Sequence, residues 1–344
     1  MVEAQGRDAV QRVMQQASVA QPPRPAPSAA PAARMAHAGA RGDSIFGGLA
    51  LAATAFVLLV LAGIALSTLI GGWPAFARFG ASFVARTAWD PVQRDFGALV
   101  PIYGTIVTAV LSMLLAVPIA FGIAIFLTEV APRPLAGPIS AAIELLAGIP
   151  SIIYGMWGLF VFVPFMADWV DPWLAASLGR LPVLGALFSG PPLGLGMLTA
   201  GIILGVMVVP FVAAVMRDVF TLVPSALRES AFALGATRWE VVWHVVLPYT
   251  RTAVVGGIFL GLGRALGETM AVTFVLGNAH DFNLSLLAPS TSIAAAIANE
   301  FTEADSATYL SALIALGFIL FVVTFIVLVF AKLLLLRLAR QAGR

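Results

Sequence analysis

Apolar positions along this chain come in six long runs, and the polar positions gather between them. Each run reaches the roughly 20 residues that an α-helix needs to cross about 30 Å of hydrocarbon. They predict helical spans at about 45–70, 101–128, 139–165, 193–216, 252–277 and 309–335. Residues 1–43 follow no such period. They are rich in Ala, Pro, Gln and Arg and include the run from Gln21 to Pro27, which predicts a disordered tail. A signal peptide places a short apolar core soon after a basic start, whereas the first apolar run here begins near Ile45 and is long enough to span. The pattern therefore predicts an all-α polytopic membrane protein: a cytoplasmic tail over 1–43 followed by a transmembrane domain over 44–340.

Composition sharpens this reading. The chain of 344 residues is 60% hydrophobic and only 10% charged, with a mean hydropathy of +0.98, values outside the range of water-soluble domains. Cysteine is absent, which excludes disulfides and thiolate metal sites, and His37, His244 and His280 lie far apart, which argues against a histidine-built one. No metal is expected. A net charge of +2 and basic residues without interleaved aromatics give no footprint for nucleic acid.

The placement of the cations matters more than their sum. With the N-terminus inside, 14 of the 19 Lys and Arg residues fall on inner segments, 4 on outer loops (Arg78, Arg86, Arg94 and Arg180), and Arg264 inside the fifth predicted span. Lys and Arg are retained on the cytoplasmic side, so both termini are expected there. Pro118, Pro150 and Pro210 fall inside predicted spans. Kinks around a pathway and the ordinary tolerance of membrane helices for proline both account for them.

The longest inner loop runs from Arg217 to Arg251 and reads as two short helices. Ser225 is placed to cap the first, Gly235 to end it in the left-handed conformation, and Thr237-Arg238-Trp239-Glu240 has capping-box spacing for the second. Ala231, Leu234, Trp239, Val242 and Trp243 are many apolar residues for a segment outside the bilayer. Either headgroups or a partner protein must cover them.

The wording of this loop points to the partner. Glu229, Ser230 and Ala231, then Gly235 six residues after the glutamate, then Val245, Leu247 and Pro248, resemble the EAA loop of ABC importer permeases in every spacing. Ser230 and Val245 depart from it mildly. The resemblance implies the type I importer (MetI-like) permease fold with six transmembrane helices. It also implies that residues 224–248 form a coupling helix docked on a separate cytoplasmic ATPase, with Arg228 and Glu229 fixing orientation. The only lysine, Lys332, follows no phosphate-cradling glycine loop, so this chain is expected to be no enzyme, to have no catalytic residues and to need no cofactor of its own, ATP being bound by the partner.

Charges within spans are expensive at about 2.5–3.5 kcal/mol each and are functional candidates by default. Three are predicted here: Glu144, Arg264 and Glu268. Gly257, Gly261, Arg264 and Glu268 share one face of a helix, small enough for another helix to approach. Arg264 and Glu268 at i, i+4 can neutralise each other, and the planar guanidinium of Arg264 also suits phosphate oxygens. Glu144, Gly148, Ser151 and Gly155 recur at helical spacing in the third predicted span, placing Glu144 as a candidate partner for Arg264. Glu129 reads as an interfacial residue.

The segments Gly263 to Ala271 and Gly148 to Gly155 resemble those of phosphate importer permeases, PstC-like more than PstA-like, over about residues 45–340. That resemblance implies inner-membrane location, phosphate as the transported ligand, and a pathway touching Arg264, Glu268, Glu144 and Ser151. It further implies a PstA-like sister permease, two cytoplasmic ATPase subunits and a periplasmic phosphate-binding protein, with lipid around the whole. A sulfate, molybdate or phosphonate importer is the nearest alternative. An ion-coupled secondary carrier leaves the loop motif unexplained, and an intramembrane enzyme lacks a nucleophile with a histidine partner.

Overall fold

The computed structural model describes residues 30–182 and 185–342. It falls into two units, Met1–Gly63 and Ile64–Arg344. In the first, the helix Ala30–Phe79 has already begun. The expected tail lies outside the described residues as far as residue 29; from Ala30 the chain is helical, a correction to the unstructured reading of 30–43. The Ala-rich sequence explains it, since alanine is the best helix former and a proline in the first turn is tolerated.

Among the described residues six helices are long and apolar enough to cross a membrane: Gly42–Val84, Leu99–Val130, Ser151–Arg180, Met197–Thr221, Arg238–Leu266 and Ala307–Arg337. We call them the first to sixth spans. Between them lie four short helices: α1 (Arg133–Ala147), α2 (Ser225–Ala233), α3 (Met270–Val275) and α4 (Ile293–Glu300). A two-residue hairpin, β1 (Trp89–Asp90) with β2 (Asp95–Phe96), joins the first two spans, pairing Trp89 with Phe96.

Spans two to five build the main core. The second and fourth spans meet over glycines: a Cβ added at Gly201 would stand 2.6 Å from Leu111 Cβ, and one at Gly205 would stand 2.8 Å from Leu115. Gly257 and Gly261 bring the fifth span against Val215 and Val212 of the fourth in the same way. Small residues thus let backbones approach where water-driven packing is unavailable. Met113, Ile203, Met207, Val212 and Val254 fill the space between. A second core joins the far part of the first span to the hairpin, α4 and the sixth span through Ala75, Phe83, Phe96, Ile293, Tyr309 and Leu313. Ala75 N–H donates to Ser311 Oγ at 2.9 Å within it.

Two predicted spans are interrupted. The third does not start at 139: α1 ends at Ala147, Pro150 stands as the N-cap residue, and the span begins at Ser151. Proline disfavours helical backbone in the residue before it, which separates the two helices. Glu144 therefore lies on α1 and shares no continuous stripe with Ser151 and Gly155. The fifth span ends at Leu266 instead of 277, with Gly267 as its C-cap, and the chain restarts as α3. The backbone beyond α3 is satisfied within the protein: Ser290 N–H bonds Leu276 O, Gly196 N–H bonds Val275 O, and Leu198 N–H bonds Leu286 O. Irregular backbone of this kind survives in a membrane protein where it is buried in protein.

Candidate functional site

The loop between the fourth and fifth spans is a helical hairpin whose turn is fixed by its own backbone. Gly235 has φ +88°, its N–H donates to Phe232 O at 2.9 Å, and Ala236 N–H donates to Ala231 O at 3.1 Å. These two bonds are the Schellman pattern that ends α2. Thr237 then caps the next helix: its Oγ1 accepts from Glu240 N–H, and the Glu240 carboxylate accepts from Thr237 N–H at 2.7 Å. Ser225 is the first residue of α2 and makes no side-chain cap; Pro224 holds the N-cap position.

None of the α2 residues is buried, and Leu234 and Trp239 are 90% and 65% exposed. Trp239 and Trp243 pack edge to face 5.3 Å apart. Glu229 and Ser230 are exposed, with Ser230 Oγ donating to Ala226 O, and Ala231 packs against the core. Leu247 packs there too, while Pro248 directly follows the π-helical turn Val242–Val246 inside the fifth span, an irregular turn of the kind that accompanies a proline within a helix.

Arg228 turns inward. Its Nη2 donates to Phe220 O at 2.6 Å and lies 3.1 Å from Glu129 Oε1, a carboxylate only 7% exposed. Arg238 Nη1 reaches the Glu129 carbonyl at 3.4 Å. Glu129, read from sequence as interfacial, is instead the point at which both helices of the hairpin meet the end of the second span. Nothing local announces this. The pair joins positions about a hundred residues apart.

The structure also redistributes the charges assigned to the spans. Glu144 pairs with Arg217 at 2.7 Å, not with Arg264, because α1 runs beside the end of the fourth span. Glu268 does not stand one helical turn from Arg264, since the helix stops between them; its Oε1 accepts from Ala271 N–H at 3.3 Å and so finishes the start of α3. Among the described residues Arg264 forms no salt bridge. It is exposed on the surface of this chain, its guanidinium carbon 5.6 Å from the centre of the Phe211 ring. An unneutralised guanidinium leaning on an aromatic face keeps its five donors free for an anion. Ser151 is half-buried at the head of the third span.

At the opposite end a cluster unseen from sequence ties the hairpin to the last loop. Glu300 accepts from Trp89 Nε1 at 2.7 Å and from Tyr309 OH at 2.6 Å, and it pairs with His280 Nε2 at 2.6 Å. His280 stacks on Trp89 with ring centres 5.0 Å apart. Burial alone would raise the Glu300 pKa, yet the bonds from His280, Tyr309 and Trp89 together hold it below the ordinary carboxylate value.

The family of binding-protein-dependent transport system inner membrane components matches residues 106–340. The chain belongs to this family. Among its relatives, the phosphate transport system permease protein PstC of Xylella fastidiosa (strain 9a5c) is 61% identical over 304 residues, 88% of this chain and 94% of that one. PstC of Pasteurella multocida (strain Pm70) is 58% identical over 289 residues, 84% and 90% of the two chains. A probable PstC of Methanocaldococcus jannaschii is 39% identical over 260 residues, 74% and 81%. Two solved structures share the fold: a chain of the inward-facing MetNI methionine ABC transporter (TM-score 0.53, 16% identity, 73% of this chain and 99% of that) and one of a bacterial alginate ABC transporter (0.54, 19%, 85% and 93%). The fold is thus that of MetI-like ABC importer permeases, and the family member described here is a multi-pass inner-membrane protein.

Proposed function

We propose that this chain is a membrane-spanning permease subunit of an ATP-driven importer and carries inorganic phosphate across the inner membrane by alternating access. The observation that carries the substrate is the 61% identity across 94% of a relative named as a phosphate permease. The helical hairpin supports the coupling: residues 224–248 present an exposed apolar face, on a turn fixed by Gly235 and the Thr237–Glu240 box, to a partner that must cover it.

The partner is a cytoplasmic ATPase, present as two copies that bind the ATP, so the hairpin end and both termini face the cytoplasm. A sister permease completes the pathway, and a periplasmic binding protein delivers phosphate to the opposite end. Residues 44–340 form the permease domain. Arg228, Glu229, Ser230, Ala231, Gly235, Leu247 and Pro248 carry the coupling loop. Arg228 and Gly235 act by holding its shape, Leu247 and Pro248 by seating the fifth span, and Glu229 by facing the ATPase.

In the pathway, Arg264 is the residue that attracts phosphate, through free donors on an exposed face. Glu268 stands just past the helix end beyond it, Ser151 stands at the head of the third span, and Glu144 moderates charge at the cytoplasmic mouth through Arg217. Weak attraction serves transport, since a deep well would trap the ion. The assembled complex in proteoliposomes tests the proposal: binding protein loaded with phosphate should stimulate ATP hydrolysis, and sulfate should not. Stimulation by sulfate alone would move the chain to another oxyanion system.

A further inference from the structure

Helix α2 has an unusual attachment. It fully buries none of its residues, and Ala231 is its one apolar side chain packed against the core, so apolar packing holds it only weakly. Its hold is mainly polar: Arg228 bonds the Phe220 carbonyl at the end of the fourth span and pairs with Glu129 at the end of the second. Arg238, at the start of the fifth span, bonds the carbonyl of the same Glu129. Glu129 is thereby gripped through its side chain by one helix of the hairpin and through its backbone by the other. The residue also lies within the π-helical turn Phe126–Val130, an irregular turn of the sort that recurs at functional positions.

We propose that Glu129 is a positioning residue for coupling: through Arg228 it makes the cytoplasmic end of the second span move together with α2 when the ATPase moves that helix. This rests on the reading of residues 224–248 as the loop docked on the ATPase. A helix without buried side chains slides on the surface beneath it unless directional bonds fix it, and a push on α2 is then lost before it reaches the spans. Arg228 supplies one such bond, to the Phe220 carbonyl, and its ion pair with Glu129, whose Oε1 makes no hydrogen bond, ties that guanidinium to the second span. Removing either partner leaves the other charge buried without its counter-ion, a situation that favours rearrangement of the loop. The second span packs directly on the fourth through Leu111 and Leu115, so motion imposed at Glu129 is handed to the main core.

The test compares phosphate moved per ATP hydrolysed in complexes reconstituted with both permeases, the ATPase and the binding protein. Glu129→Gln should lower this ratio several-fold while ATP hydrolysis continues, and the exchange Glu129→Arg with Arg228→Glu should restore much of it. A merely bracing role lowers the amount of assembled complex and leaves the ratio per complex unchanged; that result overturns the proposal. A second measurement needs no destabilising variant. The chain has no cysteine, so spin labels can be placed at Val130 and Leu227 alone, both exposed. Their separation should stay constant when nucleotide is added, and a separation that changes with nucleotide overturns the proposal. If the unaltered complex shows no ATP-dependent uptake at all, the coupling reading itself fails, which is a different outcome from either of these.

Discussion

Replacing Gly235 isolates one term of the coupling loop. Its φ of +88° lies in the left-handed region, and a Cβ built there meets nothing within 4 Å. A substitution therefore adds backbone strain without a clash. For alanine that strain is roughly 1–2 kcal/mol, which reduces the population of the capped turn by about 5–30-fold. Asparagine visits the left-handed region more readily and should lose less. Proline holds φ near −65° and removes the N–H that bonds Phe232 O, so it adds roughly 1 kcal/mol of lost hydrogen bond to a conformation it cannot adopt. ATP-dependent phosphate uptake, normalised to protein in the membrane, should fall in the order Gly, Asn, Ala, Pro. Equal uptake by the glycine, alanine and proline forms refutes the cap. Equal loss in the asparagine and alanine forms refutes the backbone argument, because their left-handed tolerance differs.

Three further outcomes are expected. Arg264→Ala should abolish uptake while the assembled complex still hydrolyses ATP, measured on purified complex; loss of assembly instead would make Arg264 a structural residue. Gly104→Ala should lower the midpoint of thermal unfolding in detergent markedly, because its Cβ collides with the Thr291 carbonyl and overpacking costs about 1–3 kcal/mol; an unchanged midpoint would contradict the packing. The Glu300 cluster should respond to acid. A depressed carboxylate pKa stabilises the fold above the unfolded value of about 4.3 and is lost as pH falls through the folded value. Protection against hydrogen exchange in residues 89–96 should fall as pH drops through the lowered carboxylate range in the native chain, and Glu300→Gln should remove that pH-dependent loss; identical protection profiles would exclude Glu300 as the cause.

Six spans were legible because the bilayer imposes a length and a composition that a linear scan detects. The turn of the coupling loop was legible too, since Gly235 and the Thr237–Glu240 spacing act over a few residues. Spans three and five were read as continuous because Gly148-Ile149-Pro150 and Gly267-Glu268-Thr269 do not interrupt the apolar content, although they interrupt the hydrogen-bond ladder. That break is why Glu268 finishes α3 instead of neutralising Arg264. The pairings Glu144 with Arg217 and Glu129 with Arg228 were hidden for a different reason. Each joins separate helices, and helical periodicity carries information only along one. The Trp89, His280, Glu300 and Tyr309 cluster is of the same kind.

On this reading the permease moves phosphate at the expense of a partner's ATP. Its most direct test is uptake of radiolabelled phosphate into vesicles holding this chain with its sister permease, ATPase and binding protein, in the presence of excess sulfate and an uncoupler. Uptake should require ATP, ignore sulfate and survive the uncoupler. Uptake that proceeds without the ATPase and collapses with the proton gradient would contradict it.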